Sequence, residues 1–312
     1  MRAGYRRISA RAAGGGRVRT LDVAALLGWP FRDVHVAYAQ ERTMLHALCI
    51  GLGGDPCDER QLRYVYEPRL KAFPTLALAL GLTDDAGFLH DERVGIDFSR
   101  MLHGQTGLRW HKPLAAAGEV TSRFAIEGLS DRGVLKGSLL RFSRTLRDRA
   151  TGDLLVTETG VYMLRGNGGF SSGLDAGEPS MAPVPIPAGP RSQCMELDTL
   201  PQSALLYRLA AGDRTGLHAS PALARQSGFE RPVLQGGCSF GVTAHGLVAM
   251  LCDYEGDRLR AMDARFTAPV FPGERLRVEV WRQGPRSAAF RTTSLPRGVV
   301  VLDNGACEFD AP

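Results

Sequence analysis

Tyr207-Arg-Leu-Ala-Ala-Gly-Asp213-Arg-Thr-Gly-Leu-His218 is followed by Ala219-Ser-Pro-Ala-Leu-Ala-Arg-Gln-Ser-Gly-Phe229 and Glu230-Arg-Pro-Val-Leu-Gln-Gly-Gly-Cys-Ser-Phe-Gly241. An acid, Asp213, and an imidazole, His218, sit in a segment broken by Gly212 and Gly216. Downstream, Gln235-Gly236-Gly237 runs straight into an apolar periodic stretch. Two proton-handling groups followed by a glycine turn at a helix start are the parts of an acid/base site. Phe240, Ala244, Leu247, Val248 and Leu251 fall on one face at helical spacing. Ser239 or Cys238 is the expected opening residue, and Gly256 follows the expected end. The first-turn N–H groups of such a helix lack internal partners and can stabilise negative charge on an oxygen.

This stretch resembles the hydratase motif of the MaoC-like, or type 2, enoyl-CoA hydratases, roughly Tyr-Arg-Leu-Ser-Gly-Asp-x-Asn-Pro-Leu-His, then Ala-x-x-x-Gly-Phe-x-x-Pro-Ile-Leu-His-Gly-Leu-Cys-Thr-Phe-Gly. The resemblance implies that Asp213 and His218 are the catalytic acid and histidine. It implies that the Gly236 N–H, with Gly237 and Gln235 beside it, holds the thioester oxygen. Thr215 stands where the family has an Asn that helps to position water, Gly216 replaces Pro, and Gln235 replaces His. A threonine hydroxyl can still hydrogen-bond a water.

The 312 residues suffice for two domains of ordinary size, and the apolar and charged fractions are those of a globular protein. The net charge of +5 is carried almost wholly by arginine; Lys71, Lys112 and Lys136 are the only lysines. A solvated surface explains them, and arginines holding the phosphates of coenzyme A are the functional alternative. No basic run interleaved with aromatics points to nucleic acid, and no apolar run reaches membrane-spanning length. Cys49, Cys57, Cys194, Cys238, Cys252 and Cys307 are scattered and show no zinc-ligand spacing, so reduced thiols in a cytoplasmic protein are expected. The resemblance gives Cys238 a packing role. Met1 to Gly16 reads as a basic, Gly-rich tail without a secretory apolar core, and the C-terminus carries no peroxisomal address.

In the first half, Val34 to Gly51 is expected to be helical and Tyr64 to Glu67 a short strand. Glu67 matches a family Glu; a structural salt bridge is its expected role. His103-Gly104 is read as the first half's counterpart of Gln235-Gly236, with no Asp and His to serve it, so His103 and His111 are left out of the catalytic set. Period-two strands follow near Val120–Ile126, Leu139–Leu146 and Leu154–Leu164. Gly166 to Gly173 then leads into a Pro-rich linker. Gly168, Gly169 and Phe170 either belong to that flexible connection or, as the resemblance implies, border the coenzyme A site.

Further strands are expected near Met262–Phe266, Leu276–Val280, Ala288–Thr293 and Val299–Leu302. The fold class expected is α+β: two tandem hot-dog domains, each an antiparallel sheet wrapped around a helix, with the N-terminal copy degenerate. Boundaries fall at 1–16 (tail), 17–165 (N-terminal domain, accommodating the acyl chain), 166–195 (linker) and 196–312 (catalytic domain). The implied activity is reversible hydration of a trans-2-enoyl-CoA to the (3R)-3-hydroxyacyl-CoA. No metal or redox cofactor is required, the partner is the acyl-CoA thioester, and a homodimer is open. The alternative is a non-catalytic acyl-CoA or acyl-carrier binding protein with a decayed site; a hot-dog thioesterase has no support in the motif.

Overall fold

The computed structural model describes residues 20–81, 86–170 and 184–311, so the basic tail and much of the Pro-rich linker lie outside the described residues. In chain order the regular elements begin with α1 (Val23–Leu27), β1 (Val34–Tyr38), α2 (Gln40–Cys49) and α3 (Glu59–Leu62). A 3-10 segment (Pro74–Ala79) and strands β2 (Met101–Trp110), β3 (Gly118–Asp131), β4 (Ser138–Asp148) and β5 (Leu154–Leu164) complete the first half. The second half holds β6 (Gln193–Asp198), α4 (Ser203–Ala211), α5 (Pro221–Gln226), α6 (Gly236–Cys252), β7 (Leu259–Phe266), β8 (Arg275–Arg282), β9 (Ser287–Ser294) and β10 (Val299–Phe309).

The ten strands form one sheet in the order β1-β3-β4-β5-β2-β7-β10-β9-β8-β6, with antiparallel pairs throughout. Read from its two ends the order is the same: β1 corresponds to β6, β3 to β8, β4 to β9, β5 to β10 and β2 to β7. The halves are therefore copies of one five-stranded unit, joined where Gly107 of β2 faces Asp263 of β7. The inward face of each strand follows the period-two rule; on β4, Leu140, Phe142, Arg144 and Leu146 are buried in alternation.

α6 is the helix around which the second half curls. Phe240, Leu247, Val248 and Leu251 are all buried, and each contributes about 1.5–3 kcal/mol by leaving water. The helix starts at Gly236, with Gln235 as its N-cap residue, rather than at Cys238 or Ser239. It ends at Cys252, where Asp253 takes a left-handed φ of 49°.

Among the described residues the first half has no equivalent of α6. The corresponding place, packed against α6 itself, is taken by the Pro74–Ala79 turn, and this is how the first copy is degenerate. Its inner sheet face is instead closed by two covers. The segment around Phe73–Leu80 packs into the main core, and residues near Leu21, Leu26, Phe88 and Ile96 pack on Phe124, Phe142 and Tyr162. Between the covers lies a buried ion pair, Arg144 with Glu158, 1% and 2% exposed, at 2.7 Å. Arg144 also donates to the Ala77 and Leu80 carbonyls, tying the short turn to the sheet.

Three expectations are corrected. Val34–Tyr38 is a strand, and the helix begins only after Ala39. Tyr64–Glu67 is a turn; Tyr64 is buried in the main core against Phe73, and its hydroxyl donates to Tyr254 O at 2.6 Å and accepts from the Gly256 N–H. Glu67 is exposed and makes no ion pair with a described residue.

Candidate active site

α4 ends at Gly212, whose φ of 69° reverses the chain so that the next residue, Asp213, begins a loop rather than another turn of helix. Asp213 folds back on that loop, its Oδ1 accepting the Thr215 N–H at 2.8 Å. Its other oxygen, Oδ2, lies 3.8 Å from His218 Nε2, and the two side chains are 18% and 16% exposed. A Cβ on Gly216 would stand 2.2 Å from Leu223 Cδ1, the movable end of an exposed side chain. α5 follows at once, capped by Ser220.

His218 is oriented from its far side. Its Nδ1 lies 2.9 Å from the Val233 carbonyl. A carbonyl oxygen can only accept, so Nδ1 carries the proton and Nε2 presents a lone pair toward Asp213. Burial pushes the imidazole pKa down, partly offset by the Val233 bond and by Asp213, which keeps the ring neutral near pH 7. Val233 lies in the extended segment just before α6, anchored by the Leu234 N–H on the Val270 carbonyl at 2.7 Å. The same bond that fixes the tautomer therefore brings the Asp–His pair to the start of α6.

At that start the Cys238 and Ser239 amides both donate to the Gln235 carbonyl, at 3.0 and 3.1 Å. The Gly236 and Gly237 amides have no such partner and form the positive end of the helix dipole. A Cβ on Gly236 would stand 3.3 Å from the Phe266 ring, and Phe266 in turn packs on His103 with ring centroids 5.0 Å apart. The head of α6 thus looks onto the seam between the two halves. Such an arrangement can hold a water between two proton acceptors and offer amides to an oxygen that gains negative charge.

The structure brings together Asp213, His218, Thr215, Gly236, Gly237 and Gln235. Thr215 contributes its amide, and its hydroxyl makes no hydrogen bond with a described residue. The Gln235 side chain points away from the opening: Nε2 donates to the Ala204 carbonyl at 3.0 Å and ties α6 to α4. Gly168, Gly169 and Phe170 lie elsewhere, against the β3–β4 hairpin. The Gly169 N–H is used by Asp131 at 2.8 Å and Phe170 packs on the second core. His103 and Gly104 are in β2, so they are not a helix-start counterpart of Gln235-Gly236; the residues in that place are Phe73 and Pro74. His103 Nε2 is paired with Thr106 Oγ1 at 2.7 Å. Cys238 is buried, near the Cys49 carbonyl at 3.5 Å, and burial raises its thiol pKa, as suits packing. Two residues beside this site escaped the sequence reading. Val233 acts through its carbonyl, which no side-chain pattern reveals. Tyr207 opens the motif but has nothing in its spacing to mark where its hydroxyl goes.

Fold and site together define a tandem hot-dog protein with an Asp–His pair at the head of α6. The chain matches the MaoC like domain over residues 184–304 and the MFE-2 hydratase 2 N-terminal domain over residues 36–166. It belongs to the MaoC-like, type 2 enoyl-CoA hydratase family. It is 33% identical over 296 residues to 3-hydroxyacyl-thioester dehydratase Y of Mycobacterium tuberculosis, covering 92% of this chain and 94% of that protein. It is 30% identical to the peroxisomal enoyl-CoA hydratase 2 of Arabidopsis thaliana, covering 89% and 92%. The crystal structure of a MaoC-like dehydratase from Phytophthora capsici superposes with a TM-score of 0.78 at 25% identity, over 94% of this chain and all of that one.

Proposed function

We propose that this protein catalyses the reversible hydration of trans-2-enoyl-CoA thioesters to (3R)-3-hydroxyacyl-CoA. The observation that carries the reading is the bare Nε2 of His218, 3.8 Å from Asp213 Oδ2 at the start of α6. A water oxygen beside both atoms, at about 2.8 Å from each, would be held by two acceptors. In the forward direction the water oxygen bonds to C3 and the water gives a proton to the pair. The C2–C3 π electrons move to an enolate with its charge on the thioester oxygen, and the pair returns a proton to C2. Net addition is one water, with no electron transfer, so no metal or redox cofactor is assigned. The Gly236 and Gly237 amides stabilise the enolate oxygen. Thr215 is assigned to the water through its hydroxyl.

Gln235 is assigned to shaping the head of the helix, consistent with its bond to Ala204. The first half, which has no counterpart of α6 among the described residues, is assigned to the acyl chain. A coenzyme A role for Gly168, Gly169 and Phe170 stays within the proposal; at Gly169 it requires the amide to exchange its Asp131 partner. Among the described residues no helix is long and apolar enough to cross a membrane. A cytoplasmic setting, supported by six unpaired thiols, and a homodimer complete the reading.

The test is loss of enoyl-thioester absorbance with short, long, branched and carboxylated enoyl-CoAs. Asp213→Asn and His218→Gln should each lower kcat by ~10²–10⁴. A wild-type protein that binds these esters without turning any of them over establishes the non-catalytic binder instead.

A further inference from the structure

Three polar atoms near the head of α6 are buried without a partner among the described residues: the Tyr207 hydroxyl, Gln235 Oε1 and His46 Nδ1. Their residues are 3%, 4% and 0% exposed. Native interiors leave few such groups, and each costs about 1–3 kcal/mol when unpaired. The mechanism above uses none of them.

Tyr207 is aimed at the helix. A Cβ on Gly237 would stand 2.5 Å from its hydroxyl, so the phenol reaches the first turn of α6 only because residue 237 has no side chain. The ring is fixed on its other side by His46, with centroids 5.8 Å apart, and His46 is held by Thr75 at 3.1 Å. Gln235 lies against the same helix, α4, one turn before Tyr207. Of the Tyr207 hydroxyl and Gln235 Oε1, only the hydroxyl has a proton to give. Burial raises the phenol pKa well above its ordinary value, so the proton stays on oxygen. The helix itself contributes the Gly236 and Gly237 amides, because the next two are spent on the Gln235 carbonyl.

Resting on the hydratase reading above, we propose that Tyr207 is a further catalytic residue: its hydroxyl donates a hydrogen bond to the thioester oxygen beside the Gly236 and Gly237 amides. The proton is not transferred. The bond strengthens as the oxygen gains charge, so it acts on the transition state more than on the bound ester.

The experiment compares wild type with Tyr207→Phe, which keeps the ring and removes the hydroxyl. With an enoyl-CoA that wild type hydrates, kcat should fall ~10²-fold while KM moves by no more than about threefold, the pattern of a lost transition-state donor. Thermal stability should be unchanged or raised, since an unpaired buried hydroxyl is removed. With bound butyryl-CoA, which cannot react, the thioester carbonyl stretch should lie at lower frequency in wild type than in Tyr207→Phe. Gly237→Ala, which keeps the hydroxyl but displaces it, should lower kcat in the same direction and serves if the first variant fails to fold. A variant kcat within about twofold of wild type, or an unmoved carbonyl stretch, overturns the proposal. Wild type that hydrates no enoyl-CoA refutes the hydratase reading itself, whereas wild-type turnover matched by Tyr207→Phe refutes only the donor role.

Discussion

Lowering the pH from 6.5 to 5 should destabilise this protein more steeply than its surface composition suggests. The cause is a set of histidines buried in the neutral form. Burial pushes His46 down to about 3, with Arg42 adding to the effect. Burial likewise pushes His245 down to about 4, against the opposing Ile50 carbonyl and Asp58, and His103 down to about 4. Among the described residues His46 Nδ1 and His245 Nε2 have no partner for a second proton. Their folded pKa lies below the unfolded value, so the stability they contribute is fully present above about pH 6.5 and is lost as pH falls. Asp263 works in the opposite sense. Burial against Gly107 raises it to about 7, so the folded state takes its proton first and regains stability across the same window. His218, also held down by burial, acts in the same sense as the other histidines. At the other four groups, three protons favouring the unfolded chain and one favouring the folded chain leave a net uptake of about two. That amounts to about 3 kcal/mol between pH 6.5 and 5, out of a total of about 5–15 kcal/mol. Urea unfolding at half-unit pH steps reads the slope directly, because shifts in midpoint at constant m report stability. Asp263→Asn removes the offset and should steepen the slope toward three protons; His46→Gln with His245→Gln should flatten it. A slope below one proton in wild type would refute the reasoning.

Two further outcomes follow from buried contacts, beside the losses expected at Asp213, His218 and Tyr207. Arg144→Met leaves the Glu158 carboxylate buried without its partner and should cost about 3–5 kcal/mol in urea unfolding, whereas removing both charges with apolar residues should cost much less. Gly107→Ala places a methyl 1.7 Å from Asp263 Oδ1 and should lower Tm at the seam; adding Asp263→Ala should recover part of the loss, measured by calorimetry.

Much of this fold was legible because strands of two-sided sheets advertise themselves. The expected strand at Leu154–Leu164 is β5 without adjustment, since every second residue from Val156 to Leu164 is buried. Val34–Tyr38 was misread because apolar residues on either side of Ala39 fit one helical face, although Ala39 is extended at ψ 172°. Tyr64–Glu67 looks like a strand because its aromatic content is high, yet Tyr64 is a core residue of a turn, packed on Phe73 with its hydroxyl satisfied by a residue 190 positions away. The start of α6 was misplaced by two to three residues for a related reason. Glycine is a poor helix former, so local propensity favours Ser239 or Cys238 as the opening. Tertiary contacts override that preference: the Gln235 side chain is held by α4, and Tyr207 fills the space the glycines leave. The Asp–His pair was legible as residue types at a spacing. What makes it usable, the Val233 carbonyl that frees His218 Nε2, was not.

The duplicated sheet and the single long helix explain each other. Two five-stranded units share one central pair, β2 with β7, so a helix lodged in one unit has its head at the boundary with the other. A second long helix in the first half would lie where the Pro74–Ala79 turn now packs on α6. The short turn leaves Thr75 free to hold His46, and His46 sets the Tyr207 ring against the first turn of α6. The residues of that turn, together with His103 on Phe266, build the wall that α6 faces. The main core runs without interruption from Ile50 and Leu76 through Phe240 to Phe290. By that continuity the first half shapes the surroundings of Asp213 and His218 while contributing neither of them.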